Sequence, residues 1–314
     1  MKAIVIEQYG GKDVLQEKEV ETPKVSDNQV LIEMHATSIN PIDWKVREGY
    51  LKDMLPFEFP IILGWDAAGT VKETGANANK FRIGERVFVR PETTRFGCYA
   101  EYIVTEEDLV ARIPDNISFE EAASIPLAGM TAWQSLFDAA RLEKGEKVLI
   151  HAGAGGVGSL AIQIAKQKGA YVATTASSQN HSMLKELGAD ECIDYRTLNF
   201  EDILSDYDVV FDTMGGEIQS KSFKVLKKGG RLVSIVQPPN EEEASSYGAK
   251  AFFVWLKPNG EQLGQLAAMM KNGELKPLVG HLFDFSETGL QEAHGLSESH
   301  HAKGKIVIKI RGQN

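Results

Sequence analysis

Cysteine is nearly missing from this chain. Only Cys98 and Cys192 occur in 314 residues, which rules out a disulfide framework or a four-cysteine zinc lobe and suits a reducing compartment. An excess of basic charge is missing as well. The 34 Lys and Arg are outnumbered by 44 Asp and Glu, for a formal net charge of -10, whereas nucleic acids and anionic membranes call for clustered positive charge. No apolar run reaches bilayer length, and Met1-Lys2-Ala3-Ile4-Val5-Ile6-Glu7 meets an acid before a signal-length run develops. Internal repeats and low-complexity tracts are also lacking, and Glu241-Glu242-Glu243 reads as a solvated polar loop. The expectation is a cytoplasmic protein with neither nucleic acid nor membrane as partner.

What is present is ordinary globular composition, 43% apolar and 25% charged, in a chain about twice the commonest domain size, so two domains are expected. Residues 1–120 carry short extended runs broken by Gly, Pro, Asn and Asp. In Gln29 to Ser38, residues Val30, Ile32, Met34 and Ala36 share one strand face, and Glu33, His35 and Thr37 take a wetter one. Similar runs at Ala67–Glu73, Arg86–Arg90 and Tyr99–Thr105 suggest a small barrel. From 121 to 257 strand and helix signals alternate. Candidate strands at Lys147–His151, Tyr171–Thr175, Glu191–Asp194, Val209–Asp212, Arg231–Val236 and Ala251–Trp255 give an α/β, doubly wound parallel six-stranded sheet. Residues 258–314 hold an amphipathic helix near Glu261–Met270 and a strand at Lys305–Ile310, and rejoin the first domain.

The run His151-Ala152-Gly153-Ala154-Gly155-Gly156-Val157-Gly158 satisfies G-x-G-x-x-G. Three glycines alone are weak, but these follow the apolar Val148-Leu149-Ile150 and open a segment whose Val157, Leu160, Ala161, Ile164 and Ala165 share a helical stripe. Glycines there permit a tight turn and close backbone approach, and amides at the helix start receive a pyrophosphate. A side chain at Gly155 would obstruct it. At the end of the second strand an NAD enzyme places an acid for the ribose hydroxyls. This chain has Thr174-Thr175-Ala176-Ser177-Ser178-Gln179-Asn180-His181 instead, a polar set that tolerates a 2′-phosphate and favours NADPH. Ser177 and Ser178 also suit helix capping, a role compatible with the first.

With these residues in hand, the chain resembles the medium-chain dehydrogenase/reductase superfamily, in its zinc-independent quinone oxidoreductase branch. The likeness runs through Asn40 to Tyr50, Gly84-Glu85-Arg86-Val87, Ile125 to Ala132, the glycine turn, Leu187-Gly188-Ala189-Asp190 and Gly304-Lys305-Ile306-Val307. It implies a GroES-like β-rich catalytic domain interrupted by a Rossmann domain, with the active site in the cleft between them. It further implies that Asn40, Asp43 and Tyr50 lie near the nicotinamide, Thr131 beneath its ring, and Ser234, Ile235 and Val236 close to it at the end of the fifth strand. Ser177 and Tyr195 would belong to the adenosine phosphate site. Zinc-dependent relatives carry cysteine where Asn40 stands and Gly-His-Glu where this chain has Gly64-Trp65-Asp66, so no metal site is expected. Asn180 stands where several relatives have a lysine or arginine.

Without a Lewis acid, hydride delivery from NADPH to a quinone, enal or enone is the expected chemistry. An enoyl-thioester reductase and a non-catalytic NADPH-binding sensor are the alternatives. Asp43 reads equally as a general acid or a helix-start residue, Tyr50 as a proton donor or, better, as cofactor cover, His35 as surface or structural rather than catalytic, and Cys98 as a small buried filler rather than a redox-sensitive thiol. His300 and His301 have no ligand-spaced partners. The apolar edge at Phe252-Phe253-Val254-Trp255 needs pairing, and with the resemblance it implies a homodimer.

Overall fold

The alternation through Val30, Ile32, Met34 and Ala36 builds the longest strand of the chain. In the computed structural model, which describes residues 1–312, the chain divides into two units. Unit 1 comprises Met1–Leu127, Pro258–Asn272 and Pro277–Asn314, and unit 2 comprises Ala128–Lys257 and Gly273–Lys276. The strands run, in unit 1, β1 (Lys2–Ile6), β2 (Gln16–Glu19), β3 (Gln29–Ile39), β4 (Ile61–Ile62), β5 (Ala67–Thr74), β6 (Arg86–Val89), β7 (Tyr102–Glu106) and β8 (Val110–Arg112). Unit 2 follows with β9 (Lys147–Ile150), β10 (Tyr171–Thr175), β11 (Glu191–Ile193), β12 (Tyr207–Asp212), β13 (Leu226–Ser234) and β14 (Lys250–Phe253). Strands β15 (Val279–Asp284) and β16 (Lys305–Lys309) return to unit 1.

In unit 1 the run expected as a small barrel is a seven-stranded sheet, six strands in the order β15-β16-β3-β5-β6-β8 and β7 paired to β3 off that path, beside a three-stranded sheet β2-β1-β4. The length of β3 lets it hold two antiparallel partners along one edge. β7 pairs with Gln29–Glu33 and β16 with Ala36–Ile39. The wetter face expected for β3 holds at Glu33 and His35 and ends at Thr37, which is fully buried with Ser38. The reason is local: Thr37 Oγ1 donates to Asp66 O at 2.6 Å and Ser38 Oγ to Asp66 Oδ2 at 2.6 Å. His35 stacks on Phe119 at 4.1 Å, half-buried. Cys98 fills a core with Val30, Ile32, Met34 and Val87, and burial pushes its thiol pKa well up.

Unit 2 is the parallel six-stranded sheet expected, in the order β11-β10-β9-β12-β13-β14. Its order reverses between β9 and β12, the switch point at which open α/β sheets bind ligands beyond the strand ends. Helix Gly156–Gln167 buries Leu160, Ala161, Ile164 and Ala165 of the expected stripe, but Val157 is half-buried and Ser159, Ile162 and Gln163 are buried as well, so the middle of the helix is covered on all sides. One expectation is corrected: Glu241-Glu242-Glu243 is no loop but the first turn of helix Glu241–Ser246. Asn240 Oδ1 accepts the Glu243 N–H at 2.9 Å, and the three carboxylates sit at the positive end of the helix dipole. Among the described residues no helix is long and apolar enough to cross a membrane.

Candidate functional site

The glycine turn leaves β9 at Ile150 and enters helix Gly156–Gln167 with Gly155 as its N-cap. Two of its glycines are demanded by packing. A Cβ on Gly153 would stand 2.1 Å from Thr174 Oγ1, and one on Gly158 would stand 2.4 Å from Ala152 O. Gly155 differs, because a Cβ there meets only Ala152 O, at 3.3 Å. That contact is tight, but it asks far less of the fold than those at Gly153 and Gly158. Gly155 leaves the helix start without a capping side chain, so the orphan amides of Gly156, Val157 and Gly158 face a part-exposed cradle with Ala154. That is the arrangement an anionic pyrophosphate requires.

His151 braces the turn from beneath. Ser222 Oγ donates its proton to Ile218 O at 2.6 Å, so it accepts from His151 Nε2–H at 2.9 Å. His151 Nδ1 then accepts from Thr175 Oγ1 at 3.1 Å, and Thr175 Oγ1 in turn accepts the Ala152 N–H at 3.2 Å. Burial holds the imidazole neutral, with its pKa pulled down to about 4 despite the nearby Asp212 and Glu201.

Beyond β10, Ser177 is buried, and Asn180 Nδ2 donates to its Oγ at 3.2 Å. Ser178 N–H donates to Asp194 Oδ2 at 3.2 Å, and Arg196 N–H to Asp194 Oδ1 at 3.0 Å. This acid comes from the neighbouring β11 end, outside the stretch that directly follows β10. Tyr195 is exposed, with the Arg196 guanidinium 5.8 Å over its ring. Arg196 supplies a cation beside the exposed Tyr195, and the sequence signal was its adjacency to Tyr195. At the β13 end Ser234 is fully buried, its hydroxyl donating to Asp212 Oδ2 at 2.8 Å. Asp212 also accepts from Met214 N–H, Gly215 N–H and Gln219 Nε2. Ser234 therefore fixes loops at the strand ends, while Ile235 is half-buried and Val236 exposed. Thr131 is buried in helix Pro126–Trp133.

Unit 1 holds a dense polar cluster. Asn40 is the N-cap of helix Pro41–Arg47, and its backbone carbonyl rather than its side chain accepts the Asp43 N–H at 2.9 Å. Asp43 Oδ2 accepts the Asn40 N–H at 2.9 Å. Asn40 Nδ2 donates to Asp66 Oδ2 at 2.7 Å, and Asn40 Oδ1 accepts from Lys305 Nζ. Asp66 is saturated. Besides Asn40 and Ser38 it accepts the Leu127 N–H at 2.6 Å and lies 3.4 Å from the Lys305 ammonium. Burial pulls the pKa of Lys305 below the usual lysine range, against the pull of Asp66.

A second chain of contacts reaches Asp43 from behind. Arg47 can only donate, so His294 Nδ1 accepts from it at 3.0 Å, and His294 Nε2–H donates to Tyr99 Oη at 3.1 Å. Tyr99 O–H then donates to Asp43 Oδ2 at 2.8 Å. Burial nevertheless outweighs these donors and raises the Asp43 pKa to about 7, while His294 falls to about 3. Of the two readings of Asp43, the helix-start role is the one its contacts display. Tyr50 is 71% exposed and edge-on to Trp44 at 6.3 Å.

Residues 26–115 match the family described as alcohol dehydrogenase GroES-like domain, and residues 187–308 the family described as zinc-binding dehydrogenase. Over 320 residues the chain is 37% identical to the NADPH-dependent alkenal/one oxidoreductase, chloroplastic, of Arabidopsis thaliana, spanning 98% of this chain and 79% of that protein. The solved quinone oxidoreductase from Coxiella burnetii is 40% identical with a TM-score of 0.90, covering 99% of both chains. The Escherichia coli quinone oxidoreductase complexed with NADPH is 27% identical with a TM-score of 0.88, covering 99% of this chain and 100% of that one. The chain belongs to the medium-chain dehydrogenase/reductase superfamily.

Within that superfamily a catalytic zinc is the question the donor set must answer. At the two ligand positions stand Asn40, whose amide is engaged by Lys305 and Asp66, and Trp65, whose Nε1–H donates to Thr94 O at 3.2 Å and has no lone pair to offer. Among the described residues no three His, Cys, Asp or Glu side chains gather as a metal group. These residues do not fit zinc. Lys305 was visible in the sequence only as part of the Gly304-Lys305-Ile306-Val307 landmark, and its pairing with Asp66 spans 239 positions.

Proposed function

We propose that this chain is an NADPH-dependent, zinc-independent reductase that transfers hydride to a quinone or to the β-carbon of an α,β-unsaturated carbonyl. The observation that carries the reading is the turn at Gly155, the least obstructed of its three motif glycines, which opens a cradle beside uncapped amides at the switch point of the sheet. Superfamily relatives named for alkenal/one and quinone substrates support the acceptor class. Bound NADPH would supply the hydride. The amides of Gly156, Val157 and Gly158, with Gly153, Ala154 and Gly155, would hold its pyrophosphate. Ser177, Ser178, Tyr195 and Arg196 would receive the adenosine phosphate, and Thr131, Ser234, Ile235 and Val236 would line the nicotinamide end.

Asn40 is the group assigned to the acceptor oxygen. Asp43 holds its backbone in place, and Tyr50 covers the site. Protonation of the reduced product comes from solvent. The edge strand β14, with Phe253 exposed at its end and Trp255 exposed just beyond it, supports a homodimer, and scarce, unpaired cysteine supports the cytoplasm. The test is loss of nicotinamide absorbance when purified protein is mixed with NADPH or NADH and a panel of quinones, enals and enones. Turnover with NADPH and at least one of these is expected. Inertness toward the whole panel overturns the reading.

A further inference from the structure

The buried cluster of unit 1 contains one contact that capping and charge balance do not require. Lys305 is 5% exposed and Asn40 2% exposed. Their chemistry fixes the orientation of the amide, because an ammonium can only donate and an ionised carboxylate can only accept. Oδ1 therefore faces Lys305 and Nδ2 faces Asp66. Lys305 Nζ also donates to Ile39 O at 3.0 Å, while Asp66 Oδ2 lies farther off at 3.4 Å. The ammonium thus sits closer to the Ile39 carbonyl, and to the Asn40 amide oxygen, than to the carboxylate that balances its charge. Asp43 on the Asn40 N–H keeps the backbone from swinging away.

A cation on an amide oxygen draws electrons from nitrogen through the amide π system, and a low-dielectric interior enlarges the effect. Each amide N–H becomes a stronger donor. One Nδ2 hydrogen is committed to Asp66, and the other is used by neither of these contacts.

We propose that Lys305 is a positioning residue that polarises Asn40, making this second N–H the donor to the oxygen on which charge develops during reduction. The proposal rests on the reductase reading. In an enone, hydride forms a C–H bond at the β-carbon, the alkene pair moves toward the carbonyl carbon, and the carbonyl pair moves onto oxygen as an enolate. NADPH ends as NADP⁺, and solvent returns a proton to the α-carbon. In a quinone the same two electrons yield the hydroquinone anion, which solvent protonates. Asn40 answers the oxygen charge in both cases, and the strength of its N–H is set from behind by Lys305.

The test separates polarisation from simple neutralisation of Asp66. It uses Lys305→Met and the charge-balanced Lys305→Met/Asp66→Asn, each also made on Asn40→Ala, with thermal melts to verify folding and fluorescence titration to measure NADPH affinity. Loss of a preorganised oxyanion donor lowers kcat by about 100-fold to 1000-fold, so weakening one by removing its polarising cation is expected to cost about 10-fold to 100-fold. The charge-balanced variant should show that loss in kcat, with acceptor KM and NADPH affinity near wild type. On the Asn40→Ala background the loss should vanish. The Asn40 side-chain amide proton resonance should also move upfield when Lys305 is replaced. Wild-type kcat in the charge-balanced variant, an equal loss on Asn40→Ala, or an unmoved resonance each overturns the proposal alone. Wild-type protein inert toward every acceptor overturns the reductase reading and the proposal with it.

Discussion

At Gly153 to Gly158 the chain removes side chains so that backbone can approach a ligand. Around Asp66 it does the reverse, packing hydroxyl, amide, backbone and ammonium donors onto one carboxylate. The turn of unit 2 owes its shape to steric limits that act over a few residues, and Ala152 O and Thr174 Oγ1 set most of them. The cluster of unit 1 owes its shape to electrostatics among residues far apart in sequence. Substitutions in the first should act through volume, and those in the second through uncompensated charge.

The largest effect is expected at Asp66. Asp66→Ala strips the acceptor from Ser38, Asn40 and Leu127 and leaves the Lys305 ammonium buried without its counter-charge. Breaking a buried pair by removing one partner costs about 3–5 kcal/mol. Urea denaturation of Asp66→Ala should show a loss of that size, and Lys305→Met/Asp66→Asn should recover a large part of it. Equal stability of Asp66→Ala and wild type would dissolve the contrast between the two regions.

The same contrast explains what could be read before the structure. The turn was legible because it uses contiguous residues between Val148-Leu149-Ile150 and a helical stripe, and all six strands of the parallel sheet lie where extended runs stand in the sequence, although β13 starts five residues earlier, in the polar Leu226–Gly230 stretch, and ends at Ser234. Thr37 was read as facing a wetter surface because period-2 alternation carries no information about Asp66 folding over it. Glu241 to Glu243 passed for a loop because their charge hid the Asn240 cap. The hydrogen bond from the Ser234 hydroxyl to Asp212 has no signal in the sequence, because the two residues stand on neighbouring strands 22 positions apart. The Lys305 to Asp66 contact was illegible, since nothing local couples positions that meet because β3 pairs with both β16 and β5.

Acid should separate the two units. His151 titrates near 4 in the fold and near 6.5 unfolded, so below 6.5 the unfolded chain binds more protons. Stability is lost as pH falls from 6.5 toward 4, by about 3 kcal/mol at the lower end. His294 acts in the same direction, but Asp43, raised to about 7, acts oppositely. Its folded form binds more protons between 4 and 7, so acidification over that window restores stability. Hydrogen exchange between pH 7 and 5, corrected for intrinsic rates, should show protection falling across residues 147–175 ahead of residues 30–66. Parallel loss in both segments would contradict the offset.

Within the turn, alanine substitutions should sort by space. Gly158→Ala drives a Cβ against the Ala152 carbonyl, and such overpacking costs about 1–3 kcal/mol. Gly155→Ala presses only on the Ala152 carbonyl, at 3.3 Å rather than 2.4 Å, so its melting temperature should fall less than that of Gly158→Ala. Its NADPH dissociation constant should rise about 10-fold, a loss of about 1.4 kcal/mol of binding. A Gly155→Ala protein with unchanged NADPH affinity would mean that the cradle serves the fold and not a pyrophosphate.

The smallest expected effect lies at Arg196. Its guanidinium stands over the exposed Tyr195 ring, with Asp194 held by backbone N–H groups on either side of the loop. Solvent screens such a cation, so its attraction to a 2′-phosphate is worth about 1 kcal/mol or less. Arg196→Ala should weaken NADPH about three-fold to five-fold and leave NADH unchanged, a difference that shrinks as salt rises. Equal weakening of both nucleotides would show that Arg196 contributes through packing on Tyr195, and the preference for NADPH would then rest on Ser177, Ser178 and Tyr195 alone.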